Sequence, residues 1–245
     1  MEIIGNGFIA RNLAAVADRH PHATVIAAGV SSTSAGTPGD FAREAELVRD
    51  VARRCRREGR VLVYLSSASH AMYGSTEIAV AEDAPVDPPS PYGRQKLMLE
   101  GAVAEAGPGW LTLRLSHAIG RWQRSHQLLP SFVGQIRGGS VTLYRNAHRD
   151  VVDVSDVVRA IDGLLAQGVQ DEVVNVASGV PWPVESIVRG IERRMAARPR
   201  YDVVDVAPTL TRVSVDKLCK LLPPMRSVTE PGYLDRVLDR YVAYY

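Results

Sequence analysis

Short apolar runs alternate along this chain with longer stretches of helical periodicity. Ile3-Ile4 enters the glycine turn Gly5-Asn6-Gly7, and an amphipathic segment predicts a helix from about Phe8 to Arg19. Thr24 to Ala28 is the next predicted strand, followed by a helix from Phe41 to Arg57 with Asp40 as its cap, and by the strand Arg60 to Ser67. A proline-set loop, Glu82 to Pro91, then delivers a helix starting near Tyr92. Beyond it come the strand Leu111 to Leu115 and the helices Gln127 to Arg137 and Asp156 to Ala166, the last flanked by Asp153. The pattern closes with a strand at Val173 to Val176, a helix at Val184 to Ala196, a strand at Tyr201 to Val206 and a capped helix from Thr229 to about Tyr241. Strands alternating with helices predict an α/β fold, a parallel sheet with helices on both faces. No repeat, low-complexity tract or linker divides the 245 residues, so a single domain is expected.

Composition narrows the function little. Net charge is +2, which gives no electrostatic reason to invoke nucleic acid or a membrane surface. Cys55 and Cys219 lie inside helical patterns without metal-site spacing, the histidines are scattered, and no metal site is expected. No apolar run reaches transmembrane length, and Met1 leads straight into a predicted strand without a signal peptide, so a cytoplasmic location is expected.

The candidate chemistry centres on Pro91-Tyr92-Gly93-Arg94-Gln95-Lys96. Tyr92 and Lys96 stand at i and i+4, so on a helix both project from one face. A phenol is a poor acid-base group at neutral pH, but a neighbouring ammonium favours its phenolate and brings it toward the working range. Upstream, the strand at Val61 to Leu65 ends in Ser66-Ser67, with Ser69, His70 and Met72-Tyr73-Gly74 beyond. The Gly-x-Gly-x-x-Ala turn of Gly5, Gly7 and Ala10 lets backbone amides and a helix start approach a pyrophosphate.

Together these features resemble the extended short-chain dehydrogenase/reductase family, the nucleotide-sugar epimerases, dehydratases and ketoreductases, over nearly the whole chain. The resemblance implies a Rossmann-like core over about residues 1–118 and a small substrate lobe mainly from 119–245. It implies Ser67, Tyr92 and Lys96 as the catalytic set, with Ser69 as a second donor at the oxygen site, and NAD or NADP as cofactor. Gly5, Gly7, Phe8, Ile9, Ala28, Gly29 and Lys96 are the cofactor contacts it suggests, and Ser31, Ser32 and Thr33 could reach a ribose or phosphate. His117 stands where relatives commonly carry an asparagine that contacts substrate. Arg149, in His148-Arg149-Asp150-Val151-Val152-Asp153, matches the arginine that grips the substrate diphosphate, unless it pairs with Asp150 or Asp153 on the surface.

Two departures shape the expected function. Val25 to Ser31 looks like the family's fourth strand, so the second and third are missing and with them the usual adenosine pocket: the fold is a truncated Rossmann-like sheet. The loop after Ser67 lacks the Asp-Glu pair of the 4,6-dehydratases. The expected activity is NAD(P)H-dependent reduction of a nucleotide-linked keto-deoxysugar, with a nucleotide-sugar 4-epimerase as the alternative and a non-catalytic binding protein as the second. A homodimer through the Tyr92 helix is the partnership that relatives suggest.

Overall fold

The computed structural model describes residues 1–30 and 36–245; the expected contacts of Ser31, Ser32 and Thr33 lie outside the described residues. In chain order, the first half runs β1 (Glu2–Ile4), α1 (Phe8–Leu13), β2 (Ala23–Ile26), α2 (Pro38–Glu58), β3 (Val61–Ser67), α3 (His70–Tyr73), α4 (Pro91–Glu105) and β4 (Trp110–Leu115). The second half runs β5 (His117–Ile119), α5 (Leu128–Arg137), β6 (Ser140–Arg145), β7 (His148–Asp153), α6 (Val154–Ala166), β8 (Glu172–Val176), β9 (Pro181–Pro183), α7 (Val184–Met195), β10 (Arg200–Asp205), α8 (Asp216–Leu221) and α9 (Tyr233–Tyr241).

The main sheet is parallel throughout, in the order β1-β2-β3-β4-β8. Its order never reverses: β1 pairs only with β2, and no strand lies outside β1 among the described residues. The direct step from first to fourth strand expected from the sequence is thus present in the topology. A parallel sheet is covered on both faces, and its strands read as continuous apolar runs for that reason. On one face α2 and α4 pack through Val48, Val51, Ala52, Leu99 and Val103 against Ile26, Leu62 and Tyr64. On the other, α6 buries Val154, Val157, Ala160, Ile161, Leu164 and Leu165. That spacing puts one apolar stripe on the helix, and each large side chain so buried stabilises by about 1.5–3 kcal/mol before entropy is counted. The second half of the chain also adds two small sheets, β10-β6 and β5-β7-β9, which share one apolar core with α5, α7 and α9.

Several boundaries differ from the sequence reading for local reasons. The first helix is regular only to Leu13 and continues as a 3-10 helix to Arg19. Helix α2 starts earlier than expected, at Pro38, and its cap is Thr37; Asp40 sits at the third helical position, where its carboxylate and the threonine close a capping box. The final helix starts at Tyr233, after Gly232 in the left-handed region, while Thr229 ends a separate 3-10 segment from Pro223. Asp153 does cap α6, accepting from Ser155 N at 2.7 Å.

Candidate active site

The carboxyl ends of β2, β3 and β4 open into a cleft of about 400 Å³. The ends of parallel strands in an open sheet are where such folds hold ligands. Nine of the residues singled out from the sequence line it: Phe8, Ile9, Ala28, Gly29, Ser67, Ser69, Tyr92, Lys96 and His117. Gly5, Gly7 and Arg149 do not.

Each side chain is held by short-range chemistry. Ser90 caps α4, accepting from Gly93 N at 2.9 Å and donating to Ala71 O at 2.8 Å, so the cap of the Tyr92 helix also ties it to α3. Gly93 makes that approach possible: a Cβ there would lie 1.9 Å from Ala71 O and 2.8 Å from Pro88 Cβ. On the α3 side, the hydroxyls of Ser67 and Ser69 are 2.8 Å apart. Both serines therefore face the same space as Tyr92, one at the end of β3 and one at the start of α3.

Lys96 is buried and donates to Glu44 Oε1 at 2.8 Å. Its Nζ lies 5.7 Å from the Tyr92 ring centre and 5.3 Å from that of Tyr64. Burial alone would pull the ammonium pKa down; the two phenols and the Glu44 carboxylate outweigh it and hold the pKa well above the usual lysine range. Burial pushes the Tyr64 phenol up, so that group stays protonated. Glu44, three per cent exposed, is a residue the sequence reading did not single out, because its contact spans two helices.

At the opposite wall stand Ser116 and His117. His117 is pushed down to about 3, first by burial and then by the nearby Arg149 charge, so its imidazole is neutral at ordinary pH. Its Nδ1 and the Ser116 hydroxyl have no hydrogen-bond partner among the described residues. Buried polar atoms without partners are uncommon in a folded protein; both residues line the cleft, while these two atoms are themselves closed off from solvent.

Arg149 lies behind this wall on β7, beside β9. It makes no ion pair with Asp150 or Asp153, the surface alternative that its sequence allowed. Asp150 instead accepts from Ser178 N and Oγ, both at 2.9 Å, and burial pushes its carboxyl up to about 6. Asp153 accepts from Tyr241 and Arg240. Among the described residues the Arg149 guanidinium donates only to His148 O and Thr209 Oγ1, and burial holds its pKa below the ordinary value.

The two glycines of the first turn divide their work. A Cβ on Gly5, which has φ +126°, would meet Ala27 O at 2.6 Å, so Gly5 serves the packing of β1 on β2. A Cβ on Gly7 would meet nothing within 4 Å, which leaves room over the start of α1. That opening at a helix start suits a phosphate-linked cofactor. Gln123, His126 and Gln127 complete the rim, which the sequence did not signal. Among the described residues no cluster of three metal-binding side chains occurs, and no helix is long and apolar enough to cross a membrane.

A glycine turn after the first strand, a covered parallel sheet and a Tyr-Lys pair at its carboxyl edge define a Rossmann-like dinucleotide fold of the extended short-chain dehydrogenase/reductase type. The sequence model of the NAD dependent epimerase/dehydratase family matches residues 7–177, well over half of the chain, and the chain belongs to that family. Comparison with curated proteins gave no match. Among solved structures the chain is similar to MoeE5 in complex with UDP-glucuronic acid and NAD, with a TM-score of 0.83 at 20% identity over 100% of this chain and 98% of that one. It is also similar to RMD from Pseudomonas aeruginosa complexed with NADPH, at 0.78 and 19% over 98% of each chain. UDP-glucuronic acid 4-epimerase from Bacillus cereus follows at 0.78 and 18%, over 95% of this chain and 77% of that one. At such identities these likenesses establish the fold.

Proposed function

We propose that the protein is an NAD(P)H-dependent reductase of a nucleotide-linked keto-sugar. The observation that carries this reading is the convergence of Ser67, Ser69, Tyr92 and Lys96 on one cleft, in a sheet that among the described residues has no strand beyond β1. Tyr92 gives its proton to the alkoxide oxygen, and the Ser67 hydroxyl, with Ser69 beside it, steadies that oxygen. Phe8, Ile9, Ala28, Gly29 and Lys96 would hold the dinucleotide, with Gly7 leaving room for its phosphates; when bound in its reduced form it supplies the hydride. His117, as a neutral imidazole, hydrogen-bonds the sugar, and Arg149, having no carboxylate of its own, takes the diphosphate in a fork.

The missing strands separate this reading from epimerisation. An epimerase reuses one NAD throughout its cycle, whereas a reductase exchanges its cofactor every turnover. Relatives build adenosine contacts from the second and third strands, and their loss leaves a cofactor held mainly by its pyrophosphate and nicotinamide end. MoeE5 and the 4-epimerase are described with UDP-glucuronic acid and NAD, and RMD with NADPH, so both cofactors occur on this fold. The absence of an Asp-Glu pair in the loop after Ser67 speaks against 4,6-dehydration.

The experiment is to denature purified protein, measure the cofactor released, and then incubate fresh protein with a panel of nucleotide keto-sugars and both reduced cofactors under mass spectrometry. Little released cofactor and conversion of a keto-sugar with NADH or NADPH are expected. Stoichiometric bound NAD⁺ with interconversion of sugar epimers would replace the reductase by the epimerase. Binding without conversion of any sugar would point to a non-catalytic protein.

A further inference from the structure

Lys96 is the cation expected to act on the Tyr92 phenol, yet its nearest partner is an anion. Nζ lies 2.8 Å from Glu44 Oε1, with the two side chains 6% and 2% exposed. Glu44 comes from α2, which packs beside α4 on the same sheet face. It reaches the lysine because Gly29, at φ +122°, has no Cβ; one placed there would lie 2.3 Å from Oε1. The second carboxylate oxygen has no hydrogen-bond partner among the described residues. The titratable groups facing the ammonium are Glu44 from α2, Tyr64 from β3 and Tyr92 from its own helix; Leu65 O adds a weak contact at 3.4 Å.

Lys96 and Glu44 make a buried pair of opposite charges 2.8 Å apart. An unpartnered ammonium at 5.7 Å from the Tyr92 ring would pull that phenol toward its phenolate. A carboxylate 2.8 Å from the ammonium opposes that pull. Breaking such a buried pair by removing one partner leaves an uncompensated charge, so the pair is a fixed part of the cleft.

We propose that Glu44 is a positioning residue that clamps Lys96 as a neutral pair, keeping Tyr92 in its protonated, proton-donating form and so biasing the cleft toward reduction. The proposal rests on the function proposed above and deepens it.

The test is an ultraviolet titration of tyrosinate on the whole protein, differenced against Tyr92→Phe in the same background so that only the Tyr92 phenol is read. In Glu44→Gln the ammonium is no longer neutralised, and the Tyr92 midpoint should fall by about one to two pH units, the size of a full neighbouring charge at this range. The alkaline limb of the reduction rate should move down by the same amount. The double variant Glu44→Gln/Lys96→Met removes both charges, keeps the core neutral and should titrate within a few tenths of a unit of the wild type. This double variant decides the matter even where Glu44→Gln alone does not fold. A rise of one unit or more in the double variant would mean that the lysine charge acts unneutralised in the wild type, and the proposal fails. An unshifted midpoint in Glu44→Gln, with only lowered thermal stability, also overturns it by reducing Glu44 to packing. The titration needs neither substrate nor cofactor. The expected shifts without conversion of any nucleotide sugar would therefore sink the reductase reading and leave the clamp standing.

Discussion

Gly93→Ala sets two principles against each other at the residue after Tyr92. In an exposed helix interior, replacing glycine by alanine stabilises by about 0.5–1 kcal/mol, through the entropy the glycine loses on folding. Here a Cβ would sit 1.9 Å from Ala71 O and 2.7 Å from Ala71 C, more than an ångström inside contact and against backbone that cannot swing away. Helix α4 must therefore back off from α3, stretching the Ser90 hydroxyl's bond to Ala71 O and carrying Tyr92 away from Ser67 and Ser69. Overpacking of this kind costs about 1–3 kcal/mol, which outweighs the entropic gain. Net destabilisation near 1 kcal/mol lowers the melting temperature by about 2–4 °C in a chain of this size. A displacement of about 1 Å at an acid-base group lowers turnover by about a hundredfold. Gly101→Ala is the control on the same helix: its Cβ would meet nothing within 4 Å, so it should be neutral or stabilising with full activity. The two variants are compared by thermal unfolding and by initial rates on the substrate found active. If Gly93→Ala matched Gly101→Ala in both, the tight α3–α4 approach would not be what places Tyr92.

Three further expectations follow from the site. Tyr92→Phe should lower turnover by about 10²–10⁴-fold with thermal stability nearly unchanged, because only the acid-base proton is removed; a variant retaining more than about a tenth of the wild-type rate would show that Tyr92 is not the acid. Arg149→Ala should raise the substrate KM far more than it lowers kcat, since a diphosphate remote from the reacting carbon is bound alike in ground and transition states; a selective fall in kcat would move Arg149 into the reacting centre. For His117 the folded pKa, about 3, lies below the ordinary 6.5, so protonation favours the unfolded chain. The stability that the neutral imidazole confers is complete above pH 6.5 and is lost as pH falls toward 3. His117→Asn should flatten the pH dependence of urea unfolding across that window, and an unchanged slope would mean that the imidazole is not held neutral.

What could be read beforehand was whatever is encoded within a few turns of chain. Tyr92 and Lys96 share a helix face, Asp153 caps the helix beginning one residue later, and the apolar strands run unbroken because both sheet faces are covered. The shortened sheet was legible too, because the small residues Ala27, Ala28 and Gly29 follow the second strand where a longer fold would place an acid or a base. Contacts across the fold were not. Glu44 reads as one more charge on a charged helix until Gly29 and Lys96 are brought against it. The strand Pro181–Pro183 carries two prolines and three residues, a pattern that reads as loop, yet as an antiparallel partner of β7 it fixes the register at Arg149. Whether Arg149 had an acidic neighbour was equally a matter of tertiary packing, because Asp150 and Asp153 adjoin it in sequence and are satisfied elsewhere.

A sheet that stops at β1 presents one row of backbone groups with no neighbouring strand among the described residues, the template on which a second polypeptide could grow by strand addition. The chain blunts that template by local means. The strand is only three residues long, too short for a stable ladder. Its first residue is Glu2, a charge at the exposed rim, held by Arg54 at 2.7 Å and by the Thr24 hydroxyl at 3.2 Å. Shedding two strands therefore placed a solubility burden on Glu2 and Arg54, residues remote from the cleft, where neutral replacements would invite self-association before any loss of chemistry.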